Sequence, residues 1–165
     1  MNELIINDDM QYTRRDWHNR NKIKTPQGFQ WLTVPVVSKG KCFQSIRDTE
    51  INGSEWALSH WNALQLNYGR APFFSDISEW IKTLYTQKNH MHISELNRLF
   101  IVEICNYLKI NTLISCSWDY KLIDGRIERL ADLCSQAGGD EYISGPAAKD
   151  YIDEQIFLGM GLKLT

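Results

Sequence analysis

No stretch of this sequence is apolar for long enough to cross a membrane, so it offers no spanning helix. Its opening residues, MNELIINDDM, are too short and too acidic to read as a signal peptide. Cys42, Cys105, Cys116 and Cys134 never pair at metal-ligand or redox spacing. They read as reduced, mostly buried thiols of a cytoplasmic protein. His90 and His92 would share a face if extended, but no cysteine or carboxylate lies near them at a convincing ligand spacing, so no metal site is expected. Neither a P-loop nor a GxGxxG fingerprint is present, and no cofactor is implied. Internal repeats and low-complexity segments are absent as well. A formal net charge of −2 excludes a molecule that binds polyanions over its whole surface. Neither a nucleic acid nor a membrane is therefore expected as partner, and any anion affinity must be local.

What is there is ordinary for a globular chain. Of 165 residues, 43% are hydrophobic and 23% charged, which points to a single domain over residues 1–165. Six Trp and seven Tyr are many for this length. Such side chains build cores, but they also line sugar and nucleotide pockets.

In chain order, residues 4–6 read as a short buried strand ending at Asp8-Asp9. Thr25-Pro26-Gln27-Gly28 is a turn signal, and residues 29–37 read as a strand in which Pro35 marks an edge or an end. An irregular strand over residues 43–51 follows. Ser54 precedes a helix carrying Ala57, Trp61, Leu64 and Tyr68 on one face. Asp76 and Glu79 have the spacing of a capping box for the next helix, and Ser94 can cap a third whose broad apolar face should be central. Residues 112–118 read as a strand, 125–137 as a helix closed by Gly138-Gly139, 142–144 as a short strand, 147–158 as a helix and 162–164 as a last strand. This alternation predicts an α/β fold: a three-layer-like parallel or mixed sheet with helices on its faces.

The chemistry gathers around residues 12–36. Arg14, Arg15, Arg20, Lys22 and Lys24 lie close together, with His18, Asn19 and Asn21 between them. Polar groups crowded at a strand end are how many α/β proteins build a ligand site, whereas a plain charge run usually faces water. Ser144-Gly145-Pro146 leaves a predicted strand and opens a predicted helix, whose free N–H groups would suit an anion.

Several stretches together resemble the WbqC-like family of bacterial surface-polysaccharide loci. They are DDMQYTRRDWHNRNKIKT, WLTVPV, His60-Trp61 with the later APFF, Leu96-Asn97, and GGDEYISGPAAKDYID. They run in order over nearly the whole chain. The resemblance implies a cytoplasmic role in O-antigen or similar glycan biosynthesis, in which an acyl or aminoacyl group, for example glycyl, is placed on the amine of a nucleotide-linked amino sugar. Family members open with another strand and a Pro-, Tyr- and Trp-rich segment, and this sequence starts after that point. Apolar surface beside residues 4–6 should then be exposed or covered by another chain, which suggests self-association.

Acylating an amine needs a cradle for the diphosphate, a base for the amine proton and donors for the developing oxyanion. Tyr12, Arg14, Arg15, Asn19, Arg20, Lys24, Ser144, Gly145, Lys149 and Asp150 are the expected substrate-binding residues. Asp8, Asp9 and His18 are the expected acid–base groups. Residues 12–24 and 144–150 are expected to meet at one end of the sheet. Arg20→Ala should weaken binding with little effect on stability, as for any exposed arginine. Two other classes compete: an ATP-dependent amide ligase using the same anion sites, and a non-catalytic binding or scaffold protein.

Overall fold

A computed structural model describes residues 2–86, 90–146, 148 and 151–165. It is mixed α/β, as expected, with strands β1 (Glu3–Ile6), β2 (Arg20–Thr25), β3 (Gly28–Thr33), β4 (Leu113–Cys116), β5 (Glu141–Tyr142) and β6 (Lys163–Leu164). Its helices are α1 (Glu55–Tyr68), α2 (Phe74–Thr86), α3 (Ile93–Tyr107), α4 (Arg126–Gln136) and α5 (Glu154–Gly159). The strands form three two-stranded sheets: β1 with β4 and β5 with β6, both parallel, and the antiparallel hairpin β2–β3. The chain divides into two compact units. A hairpin unit is Asp8–Ile104; a terminal unit joins Met1–Asn7 to Cys105–Thr165.

Within the hairpin unit, the second half of the cation-rich segment is a strand, β2, which the sequence reading does not include. Arg20, Lys22 and Lys24 alternate with Asn21 and Ile23, and that period of two suits a strand with one wet face. Gly28 closes the turn at φ +122°, a conformation closed to most side chains. The partner strand is shorter than the predicted 29–37. It stops at Thr33, ahead of Pro35, which has no N–H to give to a ladder. Residues 43–51 are turns and isolated bridges rather than a strand: Gln11 bridges Ser45, and Val36 bridges Ile51. Backbone bonds Ile46 N–H to Met10 O and Arg47 N–H to Asp8 O (2.9 and 2.8 Å) fasten this segment to the one carrying Asp8. Tyr12, Val34, Ile46, Ile93 and Leu96 form the core beneath.

Helix starts differ from the sequence reading. α2 begins at Phe74, so Asp76 lies in its first turn and is not its cap. α3 begins at Ile93, and Ser94 is a buried first-turn residue. The expected central face of α3 is buried at its N-terminal end, at Ile93 and Leu96, whereas Ile104 is 45% exposed.

In the terminal unit, Ala131, Phe157 and Leu162 are the buried core, with Leu130, Cys134 and Tyr142 packed against them. α4 matches its predicted span, with Ala131 and Leu133 inward. α5 is far shorter than the predicted helix and starts only at Glu154, where Asp153 Oδ1 accepts the Gln155 N–H at 2.9 Å. Cys116 is buried and Cys42 is exposed, and all four cysteines are free thiols. No described helix is long and apolar enough to cross a membrane.

Candidate functional site

The hairpin unit gathers most of the residues that the sequence singles out. A short 3₁₀ turn, Trp17–Asn19, precedes β2, and Asp16 caps it by accepting the Trp17 N–H at 2.7 Å. The turn swings His18 back over Tyr12, with ring centroids 5.9 Å apart. Asn97 of α3 donates its side-chain amide to the His18 backbone carbonyl at 3.0 Å, so the position of this histidine is set from two sides. Its Nε2 lies 3.7 Å from Asp16 Oδ2.

Asp8 lies near enough to His18 to feel its charge. Burial raises its carboxyl above the ordinary carboxylate range, partly offset by a hydrogen bond from Ser94 and by the nearby His18, while Asp9 pushes it further up. Its Oδ2 is sealed from solvent and has no hydrogen-bond partner. A buried carboxylate oxygen left unsatisfied is costly and stands out as a functional feature. Asp9 faces Arg47, with Oδ1 3.8 Å from Nη1.

The hairpin that follows carries a row of cations and rings. Register pairs Lys22 with Trp31 and Lys24 with Phe29, so cations and rings alternate on one side. The Arg20 guanidinium lies over Trp31 at 4.1 Å from the ring centroid. Lys22 Nζ lies 4.3 Å from the Phe29 centroid and 4.7 Å from that of Trp31. Trp17 adds a third ring, 5.0 Å from Trp31. Phe29 is 64% exposed and Trp17 58%, an unusual display of aromatic surface for a strand pair.

The expected binding residues fall into distinct settings. Arg14 donates to the Ser38 carbonyl at 2.6 Å, and Arg15 is exposed at φ +64°. Arg20 reaches back to the Arg15 carbonyl and is half-buried, not the exposed residue assumed from sequence. Asn19 is buried and gives its amide to the Val34 carbonyl at 2.7 Å, latching the turn to the strand exit. Lys24 is exposed, and its backbone N–H donates to the Tyr68 hydroxyl at 2.8 Å. Burial also raises the Tyr12 hydroxyl pKa, against the pull of Arg14 and Arg20.

Ser144 and Gly145 belong to the terminal unit. The Ser144 N–H donates to the Thr165 carbonyl at 2.7 Å. Pro146 and Ala148 lie in a 3₁₀ turn after Ser144 and Gly145, and the α-helix expected from residue 147 starts only at Glu154. Lys149 and Asp150 lie outside the described residues.

Sequence reasoning missed Ser94, Phe29 and Trp31 as members of the site and left Lys22 out of it. A signal was available: Arg20, Lys22 and Lys24 mirror Phe29, Trp31 and Thr33 across a Pro-Gln-Gly turn, at a period of two on both sides. His60 lies buried on α1 and has a structural part. Its Nε2 donates to the Thr33 carbonyl at 3.1 Å, tying α1 to β3, and burial lowers its pKa. Among the described residues no cluster of three metal-ligating side chains occurs.

The whole chain, residues 1–165, matches the WbqC-like protein family. This protein is a member of that family. A relative from Mycobacterium tuberculosis, itself described as uncharacterized, is 51% identical over 165 residues, which is all of this chain and 71% of the relative. No solved structure matches the chain. Membership is thus carried by the full length, and the hairpin site lies inside the matched region.

Proposed function

We propose that this WbqC-like protein transfers an acyl or aminoacyl group, for example glycyl, to the amine of a nucleotide-linked amino sugar in bacterial surface-polysaccharide (O-antigen) biosynthesis. The observation that carries the proposal is the cationic and aromatic face of the hairpin, entered through the turn that holds His18, whose charge reaches Asp8. Arg20, Lys22 and Lys24 suit a diphosphate, and Trp17, Phe29 and Trp31 suit the flat faces of a base or sugar. In the proposed step the sugar amine attacks the acyl carbon of an activated donor. An N–C bond forms, the bond to the leaving group breaks, and the amine proton passes to His18 and on to the departing group. Asp8 is half-buried with its Oδ2 out of solvent, and acts as a positioning residue that offsets the charge His18 gains.

Mass spectrometry of a nucleotide-linked amino sugar incubated with the protein and activated acyl or aminoacyl donors tests the reading. The expected product carries the acyl mass on the sugar amine. Product that forms only when ATP is added would replace transfer by ligation, and a protein that neither binds nor modifies the nucleotide-sugar would remove the reading altogether. Calorimetry sharpens it: Arg20→Ala should weaken nucleotide-sugar binding by about 1.5–3 kcal/mol, the loss of a charged hydrogen bond. Because Arg20 also covers Trp31, the exposed Lys22→Ala serves as companion, with a smaller loss of affinity and an unchanged fold.

A further inference from the structure

The rings of the hairpin face are covered by its own cations. Register sets Lys22 opposite Trp31 and Lys24 opposite Phe29, all on one side of the strand pair. The Lys22 ammonium is shared by three rings: its Nζ lies 4.3 Å from the Phe29 centroid, 4.7 Å from that of Trp31 and 5.5 Å from that of Trp17. Arg20 covers Trp31 as well, at 4.1 Å. A planar group can stack only on a ring face that is open. The surface best suited to a base or sugar is therefore occupied from within the chain. The two cations differ in how firmly they sit. Arg20 is half-buried and reaches the Arg15 carbonyl, so backbone and ring both hold it. Lys22 is exposed, and among the described residues no carboxylate pairs with its ammonium. Contacts between an exposed ammonium and ring faces are weak, whereas a hydrogen bond from an ammonium to a phosphate oxygen is charged on both sides and strong. A phosphate brought to this face wins Lys22 from the rings. The movement required is a turn of one flexible lysine stem, and it bares Phe29 and Trp17, the two exposed rings of the face.

We infer that Lys22 is a specificity-determining residue that makes stacking on the hairpin conditional on a phosphate. The inference rests on the functional reading above and narrows its substrate class to a flat base or sugar carried on a phosphate or diphosphate, as against a nucleoside or an unactivated sugar. A nucleoside meets covered rings and must displace Lys22 unaided. A nucleotide-linked sugar supplies the phosphate that draws Lys22 away, and then stacks on the surface laid bare. Phosphate and ring subsites are thereby linked with positive sign. The linkage is reciprocal, so each ligand raises the affinity for the other by the same factor. Removing Lys22 has two opposed effects, a lost phosphate contact and an opened ring surface. A lysine that only bound phosphate would show the first without the second.

Titration of adenosine, cytidine, guanosine, thymidine and uridine, with and without inorganic pyrophosphate, tests this by NMR on the indole N–H resonances of Trp17 and Trp31. For the wild type, saturating pyrophosphate should tighten nucleoside binding by about threefold to tenfold, the worth of freeing rings from exposed cation–π contacts. Lys22→Ala should bind nucleosides more tightly by a similar factor without pyrophosphate, and should gain nothing when it is added. Lys24→Ala removes the same charge from the same face; it should weaken pyrophosphate binding and keep the coupling. Pyrophosphate that leaves nucleoside binding unchanged, or competes with it, would overturn the inference without any variant. Equal tightening by sodium chloride at matched ionic strength would overturn it as well, since charge screening would then suffice. So would a folded Lys22→Ala that binds nucleosides no better than the wild type, or coupling lost with Lys24 instead of Lys22. If the wild type still binds nucleotide-sugar in any of these cases, the proposed function stands and only the role of Lys22 falls. A protein that binds neither nucleoside nor nucleotide-sugar would remove both.

Discussion

The hairpin unit and the terminal unit solve opposite problems. In the hairpin unit the backbone is knitted by bonds between neighbouring segments, such as Tyr12 N–H to Gln44 O and Ile93 N–H to Thr49 O, both 2.9 Å. Polar side chains are then free to do unusual things. Asp8 keeps an unsatisfied buried oxygen, and exposed rings carry cations. In the terminal unit the carboxylates of both strand pairs are tied down, although Asn7 Oδ1 is buried without a partner there too. Glu3 is satisfied by Ser115 and Tyr120, and Glu141 by Lys163. Unmet bonding capacity at a half-buried carboxyl beside a histidine and exposed cations is what points the hairpin unit toward chemistry.

The largest test of this contrast is on the terminal unit's core. Phe157 is fully buried and stacks at 5.0 Å against Tyr142 of β5. Phe157→Ala should cost about 3–5 kcal/mol of stability, as large core truncations do, and should loosen β5 and β6 together. Urea unfolding followed with amide exchange over residues 131–164 reads both. A loss below about 1 kcal/mol would mean that Phe157 does not anchor these strands.

The hairpin unit should respond in activity instead. With the product assay above, His18→Gln should lower turnover by roughly 10²–10⁴-fold, the usual contribution of a general base. Asp8→Asn keeps an acceptor for Ser94 and should lower turnover less. Its stability should move the other way. The folded-state pKa of Asp8 is raised, so the carboxylate is disfavoured by folding, and its cost is present once pH exceeds that folded-state value. At neutral pH, Asp8→Asn should therefore leave the protein as stable or more so. A variant that is both destabilised and fully active would assign Asp8 to the fold rather than the site.

How much of this was legible in the sequence follows the same division. α4 and the two parallel strand segments could be read because their apolar residues recur at helical or strand spacing. The basic segment was found but its conformation was not. Charge density drew attention to Arg14, Arg15 and Arg20, and hid the alternation that makes β2 a strand. Ser94 could not be placed, because only the folded chain brings it to Asp8, 86 positions away. The short α5 was misread because Tyr151, Ile152 and Ile156 have helical spacing, yet the helix waits for the Asp153 cap. β1 and β4 pair across more than a hundred residues, and nothing local in either segment names the other as its partner.

The smallest expected effect concerns His60, the one histidine whose shift has a clear structural cause. Its ring sits between Trp56 and Tyr85, at 5.3 and 5.8 Å, and donates from Nε2 to a carbonyl that can only accept. Burial lowers its pKa below the ordinary 6.5, with the Thr33 bond opposing. The unfolded chain thus binds a proton at a higher pH than the folded one. Stability from this residue is complete above about pH 6.5 and is lost as pH falls through the lower folded-state value. Asp8 runs in the opposite sense, so the two contributions must be separated by substitution rather than by one curve. His60→Gln can keep the donor to Thr33 and has no proton to gain. Below pH 6.5 the wild type should lose stability faster than His60→Gln, and the two stability curves should run parallel above it. Curves that stay parallel down to pH 4.5 would show that His60 is not held neutral by its surroundings, and the α1–β3 tie would then be open to protonation without penalty.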